Sequence, residues 1–509
     1  MKKKLAALFL AAVMMLGLAA CGNGASSQSA QTPAGPSAAS DAQSARADNT
    51  AGGKVVMYYP LGAIPSDQDK VSQAMHDYVE EKLGLDLEVQ VVPNSSYEDQ
   101  LNLIMAGSEQ IDLCLVFGRN VSSYVARGGL VDLNELLDTY GPDIQACLGD
   151  YLNAGSVGGV RYQVPVNRSL FYQYGIVMRK DLLDKYEIDP ADIQSEEDLD
   201  AVFAAIKAGE PDMAMVQPES TTMFTYVDYD SLSDDFGVLM NYGQNLDVVN
   251  LYETDEFREQ CEQHREWFEK GYIASDVLTN TESSADLVKA GKLFSFTCTV
   301  GPGTNQDKSN QCGRDMVYVA LRKPFSYTGK VSTYGWGILN NSKNPEGAMQ
   351  VLYLMYSDPA FLNLIDWGIE GVHYQLKEGS SRIITFADGV DDTSSGYFHN
   401  WSFAFGDQLN AYFWDGTEED FPEQVRAMNE SAIQSKAMGF AYDMSEVKNE
   451  VTAVSNVVDQ YAKALTLGCV DPEKTLPEFQ QALRDAGIEN IIAAKQQQLN
   501  TWAEASGVS

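Results

Sequence analysis

Three runs decide the fold: Lys54-Val55-Val56-Met57-Tyr58-Tyr59, Leu85-Asp86-Leu87-Glu88-Val89-Gln90-Val91-Val92, and Ile111-Asp112-Leu113-Cys114-Leu115-Val116-Phe117. Each is rich in β-branched, aliphatic and aromatic residues and has the length of one strand. Between the first two, residues 66–83 repeat on a helical period, with Val71, Met75, Tyr78, Val79 and Leu83 on one face and Gly84 as the stop. Between the second and third, residues 96–105 are helical again and end at Gly107. Strand, helix, strand, helix, strand predicts a parallel sheet, because neighbouring parallel strands need a crossover of a dozen or more residues. Ligands of such sheets gather just past the carboxyl ends of the strands. Here those ends are residues 59–62 and Phe117-Gly118-Arg119.

Upstream, Met1-Lys2-Lys3-Lys4 is a short cationic start, residues 5–18 carry no charge, and Leu18-Ala19-Ala20-Cys21 follows. This is the layout of a secretory leader, and the apolar run falls short of the ~20 residues that span a bilayer. The box before Cys21 resembles the bacterial lipobox. That resemblance implies a signal peptide at residues 1–20, diacylglycerol on the Cys21 sulfur, and a mature chain beginning at Cys21. Residues 21–53 hold Ser, Ala, Gln, Gly, Asn, Thr and Pro with almost nothing to build a core. They read as a disordered linker spanning on the order of 30 Å. The expected location is the extracytoplasmic face of the cell membrane, with the lipid as the only membrane contact.

The remaining body of this 509-residue chain is too long for one ordinary core, so two or more lobes are expected. A net charge of −37 argues against nucleic acid and anionic lipid as partners, since both need basic patches. Beyond Cys21, the cysteines Cys114, Cys147, Cys261, Cys298, Cys312 and Cys469 are irregularly spaced and include no Cys-x-x-Cys, which argues against zinc. Cys298 and Cys312 are candidates for a disulfide, and Cys114, inside an apolar run, reads as a buried thiol. His76, His264, His373 and His399 are scattered, and neither a Gly-x-Ser-x-Gly elbow nor a Gly-x-x-x-x-Gly-Lys loop occurs. Asp228, Asp230, Asp234 and Asp235 lack the glycine of a calcium loop and put Leu232 at a ligand position, so they read as a solvated acidic loop. No metal, cofactor or catalytic residue is expected.

Local motifs follow in a recognisable order. Ala106-Gly107-Ser108-Glu109-Gln110-Ile111-Asp112-Leu113, Gly129-Leu130-Val131-Asp132-Leu133 and Tyr140-Gly141-Pro142 resemble the amino-terminal lobe of bacterial extracellular solute-binding proteins of family 1, the carbohydrate-type lipoproteins of ABC importers. Val164-Pro165-Val166, Tyr174-Gly175 and Arg179-Lys180-Asp181-Leu182-Leu183 resemble their first lobe crossover. Asn341-Ser342-Lys343-Asn344-Pro345-Glu346 resembles the start of a helix returning to the first lobe. Gly368-Ile369-Glu370-Gly371-Val372-His373-Tyr374 and the tail from Phe405 resemble a subset with a C-terminal domain of unknown function. The resemblance implies a two-lobed α/β fold of the type II periplasmic-binding-protein kind, with hinge crossovers and a helical C-terminal region. Lobe 1 is expected at 54–164 plus about 325–366 and lobe 2 at 165–324 plus about 367–509, with crossings near residues 165–174, 321–332 and 367–374. It further implies a monomeric receptor, not an enzyme, that captures a small solute between its lobes and delivers it to ABC transporter permease subunits. An oligosaccharide is the favoured solute. Rival readings are a peptide or other polar solute on the same fold, a surface sensor or adhesion lipoprotein without a transporter, and a carbohydrate-active enzyme.

Aromatic side chains are the candidate ligand contacts. A flat apolar ring packs against the C–H face of a sugar while polar neighbours bind its hydroxyls. Tyr172 falls at the first crossover, Tyr334 and Trp336 flank Gly335 in a strand, Trp367 precedes Gly368, and Trp401 lies among polar residues. Phe117 and a polar anchor, Arg119, come from the strand end. Asn167 and Arg168 come from the stretch after Pro165, and Glu370 from its motif. In the tail, Val447, Val451, Val454, Val458, Tyr461 and Leu465 form one apolar helical stripe, capped by Ser445 and ended by Gly468. Pro477 is expected to open another helix, with Phe479 and Leu483 inward and Gly487 at its stop.

Overall fold

The computed structural model describes residues 53–219 and 228–508. The expected signal peptide, the lipidation site Cys21 and the linker up to residue 52 lie outside the described residues. β1 (Lys54–Leu61), α1 (Gln68–Leu83), β2 (Asp86–Pro93), α2 (Asn94–Ala106) and β3 (Leu113–Phe117) follow in the expected order. β1 pairs parallel with both β2 and β3. α1 turns Val71, Met75 and Val79 inward and stops at Gly84, whose φ of 68° is the left-handed conformation that favours glycine. Beyond β3 the sheet is extended by Tyr334–Ile338 and then Val164–Pro165, both joined antiparallel to their neighbours. Buried Asp112 ties β1 to this returning chain. Its carboxylate accepts from the amides of Val56 (2.8 Å), Lys343 (2.8 Å) and Asn344 (3.1 Å) and from the Ser342 hydroxyl (2.5 Å). Those donors offset the cost of burying the group.

A second sheet holds Met316–Ala320, Tyr174–Arg179, Leu293–Thr299 and Ala214–Pro218 in that order, with only the last pair parallel. Its core is separate and includes Ile176, Met178, Phe203, Met215 and Phe294. Two sheets with two cores make this a two-lobed α/β chain.

Among the described residues, three segments join the lobes side by side. Tyr172 and Phe325 exchange backbone hydrogen bonds of 2.7 Å, pairing the first crossing with the second. The third runs through residues 406–434, where the Asn167 amide donates to Gly406 (3.0 Å), Gln408 donates to Asn167 (2.9 Å), and Phe325–Ser326 pairs parallel with Ile433–Gln434. A third crossing at 367–374 is therefore not what forms. After Trp367 the chain builds a small sheet (Tyr374–Leu376, Ile383–Phe386, Phe413–Trp414), while Tyr397, Ala404, Phe405 and Ala411 return to the first core.

The C-terminal helices Lys448–Thr466, Pro472–Ala486 and Ile488–Ser506 pack with Asp255–Glu269 around a further apolar cluster. Val454 and Leu465 are buried in it, with Val451, Val458 and Tyr461 packed against it. Ser445 belongs to a short turn (Ser445–Val447) and makes no cap. Pro477 does not open a helix either. Asp471 accepts from the Glu473 amide and Pro472 takes the first helical position, so Pro477 lies inside. Asp471-Pro472 is the stronger start, since it supplies a cap acceptor and a residue with no amide to leave unpaired. The acidic loop is not solvated: Asp230 is buried, and Asp234 meets the fully buried Lys495 ammonium at 2.6 Å. The counter-charge lies in the last helix, where no local reading of the loop finds it. Cys114, Cys298 and Cys312 are all buried free thiols.

Candidate functional site

The carboxyl ends of β1 and β3 face the joint between the lobes, and antiparallel pairing sets Tyr334 opposite Phe117. The Tyr334 ring lies 5.8 Å from Phe117 and 4.9 Å from Phe403, and Phe403 lies 5.4 Å from Trp401. Trp401 closes against Gly62, just past β1, where an added Cβ would stand 3.2 Å from the indole nitrogen. The bare backbone there is what admits the ring. The crossings supply the rest. The Arg168 guanidinium sits over Tyr334 at 5.2 Å, the Lys330 ammonium over Tyr172 at 4.6 Å, and Tyr172 stacks on Tyr327 at 5.9 Å. Tyr172, Tyr327, Tyr334, Trp401 and Phe403 are all half-buried, so each keeps solvent-facing area.

Both cations are partly desolvated. Burial lowers the pKa of the Arg168 guanidinium, and burial with the nearby Arg168 charge pushes the Lys330 ammonium down to about 7. The titratable groups acting on Arg168 are Tyr334 and Tyr172, and neither cation has a carboxylate partner among the described residues. Attraction to the tyrosine faces offsets part of the desolvation, by ~0.5–2 kcal/mol for each pair. Trp401 is steadied through His399: its backbone amide donates to Nδ1 (3.2 Å), and Nε2 donates to the Ile365 carbonyl (3.2 Å). Those bonds suit the neutral ring, and burial pushes the His399 pKa down to about 4.

Of the residues singled out in the sequence, Phe117, Tyr172, Tyr334 and Trp401 come together here. Arg119 reaches the rim, 4.6 Å over the Phe117 ring, but is ion-paired with Glu98. Asn167 is buried within the crossings, where its amide donates to Asp407 at 2.8 Å. The structure places Trp336 in the core of the first lobe and not on the aromatic surface. It is completely buried, its indole N–H donates to the Ala404 carbonyl (2.8 Å), and it packs on Tyr59 and Phe405. Its flanking glycines serve strand packing: a Cβ at Gly335 would stand 2.6 Å from the Val164 carbonyl oxygen. Trp367 is buried against Trp414 and bonded to the Tyr412 carbonyl, and Glu370 is exposed beside the small sheet, apart from the aromatic run. Lys330, Tyr327 and Phe403 were not anticipated. Lys330 and Tyr327 fall within the expected second crossing, and Phe403 lies two residues past Trp401, which are the signals that point to them.

Two α/β lobes, three side-by-side crossings and a half-open aromatic surface at the joint define a two-lobed solute receptor. Residues 65–360 match the family described as bacterial extracellular solute-binding protein, and residues 436–504 match a domain of unknown function, DUF3502. The chain belongs to the bacterial extracellular solute-binding protein family. It is similar to a carbohydrate ABC transporter substrate-binding protein of Streptococcus pneumoniae serotype 4, 27% identical over 491 residues, or 96% of this chain and 95% of the relative. Lipoprotein LipO of Bacillus subtilis strain 168 is 24% identical over 341 residues, or 62% of this chain and 66% of LipO. The crystal structure of the N-glycan transport solute-binding protein NgtS of Streptococcus pneumoniae is 26% identical, covers 89% of this chain and 99% of that one, and superposes with a TM-score of 0.77. The complexes of NgtS with Man1GlcNAc (25% identical, 89% and 100% covered) and Man5GlcNAc (26%, 89% and 98%) give TM-scores of 0.65 and 0.62.

Proposed function

We propose that this chain is a lipid-anchored receptor that captures an oligosaccharide between its lobes and hands it to an ABC permease, itself doing no chemistry. The observation that carries the reading is the half-buried aromatic run from Trp401 through Phe403 and Tyr334, continued past Arg168 and Lys330 to Tyr172 and Tyr327. It is longer than one sugar ring needs, and it spans from the first sheet to the crossings. Sugar rings stack on such faces. A ligand touching both lobes favours the closed hinge state by its extra contacts there. The complexes of NgtS with Man1GlcNAc and Man5GlcNAc support this reading. The Cys21 box, together with the lipoprotein LipO among the relatives, supports the anchor.

A thermal-shift screen of oligosaccharides beside short peptides tests the reading, because a ligand bound only by the folded state raises apparent stability. Oligosaccharides are expected to raise the melting temperature, and the rise should shrink in Trp401→Ala. Stabilisation by peptides alone would overturn it.

A further inference from the structure

We infer that the oligosaccharide taken by this receptor carries an acidic group, a carboxylate or sulfate on a sugar ring, that seats between Arg168 and Lys330. The inference rests on the oligosaccharide reading above and adds to it the charge of the sugar.

Three observations lead there. Arg168 and Lys330 come from different crossings, yet burial lowers the pKa of both and the Arg168 charge lies near enough to lower that of Lys330 further. Each lies over a tyrosine of the aromatic run, Arg168 over Tyr334 and Lys330 over Tyr172, so both heads flank the surface on which a sugar would lie. Neither has a carboxylate partner among the described residues, in a chain with 72 Asp and Glu against 35 Lys and Arg. Three other shielded cations are paired with carboxylates, Arg322 with Glu196 at 3.0 Å, Lys308 with Glu219 at 2.6 Å and Lys495 with Asp234 at 2.6 Å, while half-buried Lys207 donates to the Met213 carbonyl and Arg161 to Asn134 and Asn153. Closing the lobes over a neutral sugar would remove more water from Arg168 and push Lys330, whose pKa is already down to about 7, further toward its neutral form, both at a cost. An anion between them relieves both the repulsion and the desolvation. Arg168 offers a planar fork of N–H donors suited to two oxygens, and Lys330 a point charge.

The test is a glycan array in which each acidic oligosaccharide (oligouronates, sialylated and sulfated glycans) stands beside its neutral counterpart, with calorimetry on the best-bound pair. The acidic member is expected to bind at least about tenfold more tightly, a ratio that narrows as salt is added. In Arg168→Gln and in Lys330→Gln the ratio should fall toward one. Arg168→Lys and Lys330→Arg, which keep the charge, should hold most of it, separating loss of charge from loss of fold. The carboxylate and sulfate arms tell which acid is taken. Neutral members bound as tightly as acidic ones, or a ratio unchanged in both glutamine variants, would overturn the anion while leaving the oligosaccharide reading standing. Binding of no glycan at all would overturn both.

Discussion

Replacing Trp336 separates the core of the first lobe from its ligand surface. The side chain is completely buried, its indole N–H is bonded to the Ala404 carbonyl at 2.8 Å, and its ring lies 6.1 Å from Tyr59 and 5.8 Å from Phe405. Truncation to alanine removes a large buried side chain, which typically costs ~3–5 kcal/mol. It also leaves the Ala404 carbonyl without its donor, worth about 1–3 kcal/mol more. Even the lower ends of these ranges together consume most of a marginal stability of about 5 kcal/mol. Trp336→Phe is therefore the better probe. It keeps a ring in place and loses the N–H and part of the volume, for an expected cost of about 2–3 kcal/mol. Urea melts followed by far-UV circular dichroism measure the cost, and calorimetry on the cognate oligosaccharide measures affinity. The melt should shift while affinity changes little. Trp401→Ala should do the reverse: its ring is half-buried, so stability changes less, while affinity falls by ~1–2 kcal/mol, or about tenfold, as for an interface contact. A folded Trp336→Phe variant with a normal melt and tenfold weaker sugar binding would refute the placement of this tryptophan in the core.

The acid side of the stability curve should carry the mark of His399, whose pKa is about 4 in the fold against 6.5 free. Its contribution is complete above pH 6.5 and lost as pH falls toward 4, by ~1.4 kcal/mol per pH unit, so His399→Gln should flatten the curve across that window and parallel curves would count against it. Asp407 titrates the other way: burial raises its carboxyl from 3.8 to about 6, so its stabilising share is full below 3.8 and lost as pH rises through 6. Asp407→Asn, measured against the wild type, should gain up to ~3 kcal/mol between pH 4 and pH 7, and a constant difference would refute this. Small-angle scattering should give a smaller radius of gyration with saturating oligosaccharide; an identical profile, without a closed population in the free protein, speaks against hinge closure. Cys21→Ser should abolish lipid labelling in cells, and normal labelling of that variant would sink the anchor.

The alternating start of the chain was legible because its signals are local. β1, α1, β2, α2 and β3 are each specified by a hydrophobic period within a dozen or so residues, and Gly84 ends α1 through its own φ. The third crossing was not legible in that way. The motif at residues 368–374 looked like a departure to the second lobe, but Tyr397, Phe405 and Ala411 are drawn back by apolar partners far away in sequence. The start of the helix Pro472–Ala486 is ambiguous in sequence for a smaller reason: Pro477 competes as a start signal with Asp471-Pro472, and the pair prevails because cap and proline stand together there.

Trp336 and Lys330 fail for opposite reasons, and the contrast says what a sequence can carry about a site of this kind. Two glycines beside a tryptophan look like room for a ligand, but bareness at a residue does not say which neighbour uses it. Here the Val164 carbonyl approaches Gly335 and the Ala404 carbonyl takes the indole N–H, so the room is filled by backbone. Lys330 gives no local sign, because a single lysine in a chain so rich in acids is reasonably assumed to be paired. What sets it apart is the company it lacks, together with the Arg168 charge that a different crossing brings beside it. Periodicity describes what a residue does within its own element. A binding surface assembled from strand ends, two crossings and the returning chain at Trp401 and Phe403 depends on which side chains remain half-open, and which charges remain unanswered, once these segments lie side by side.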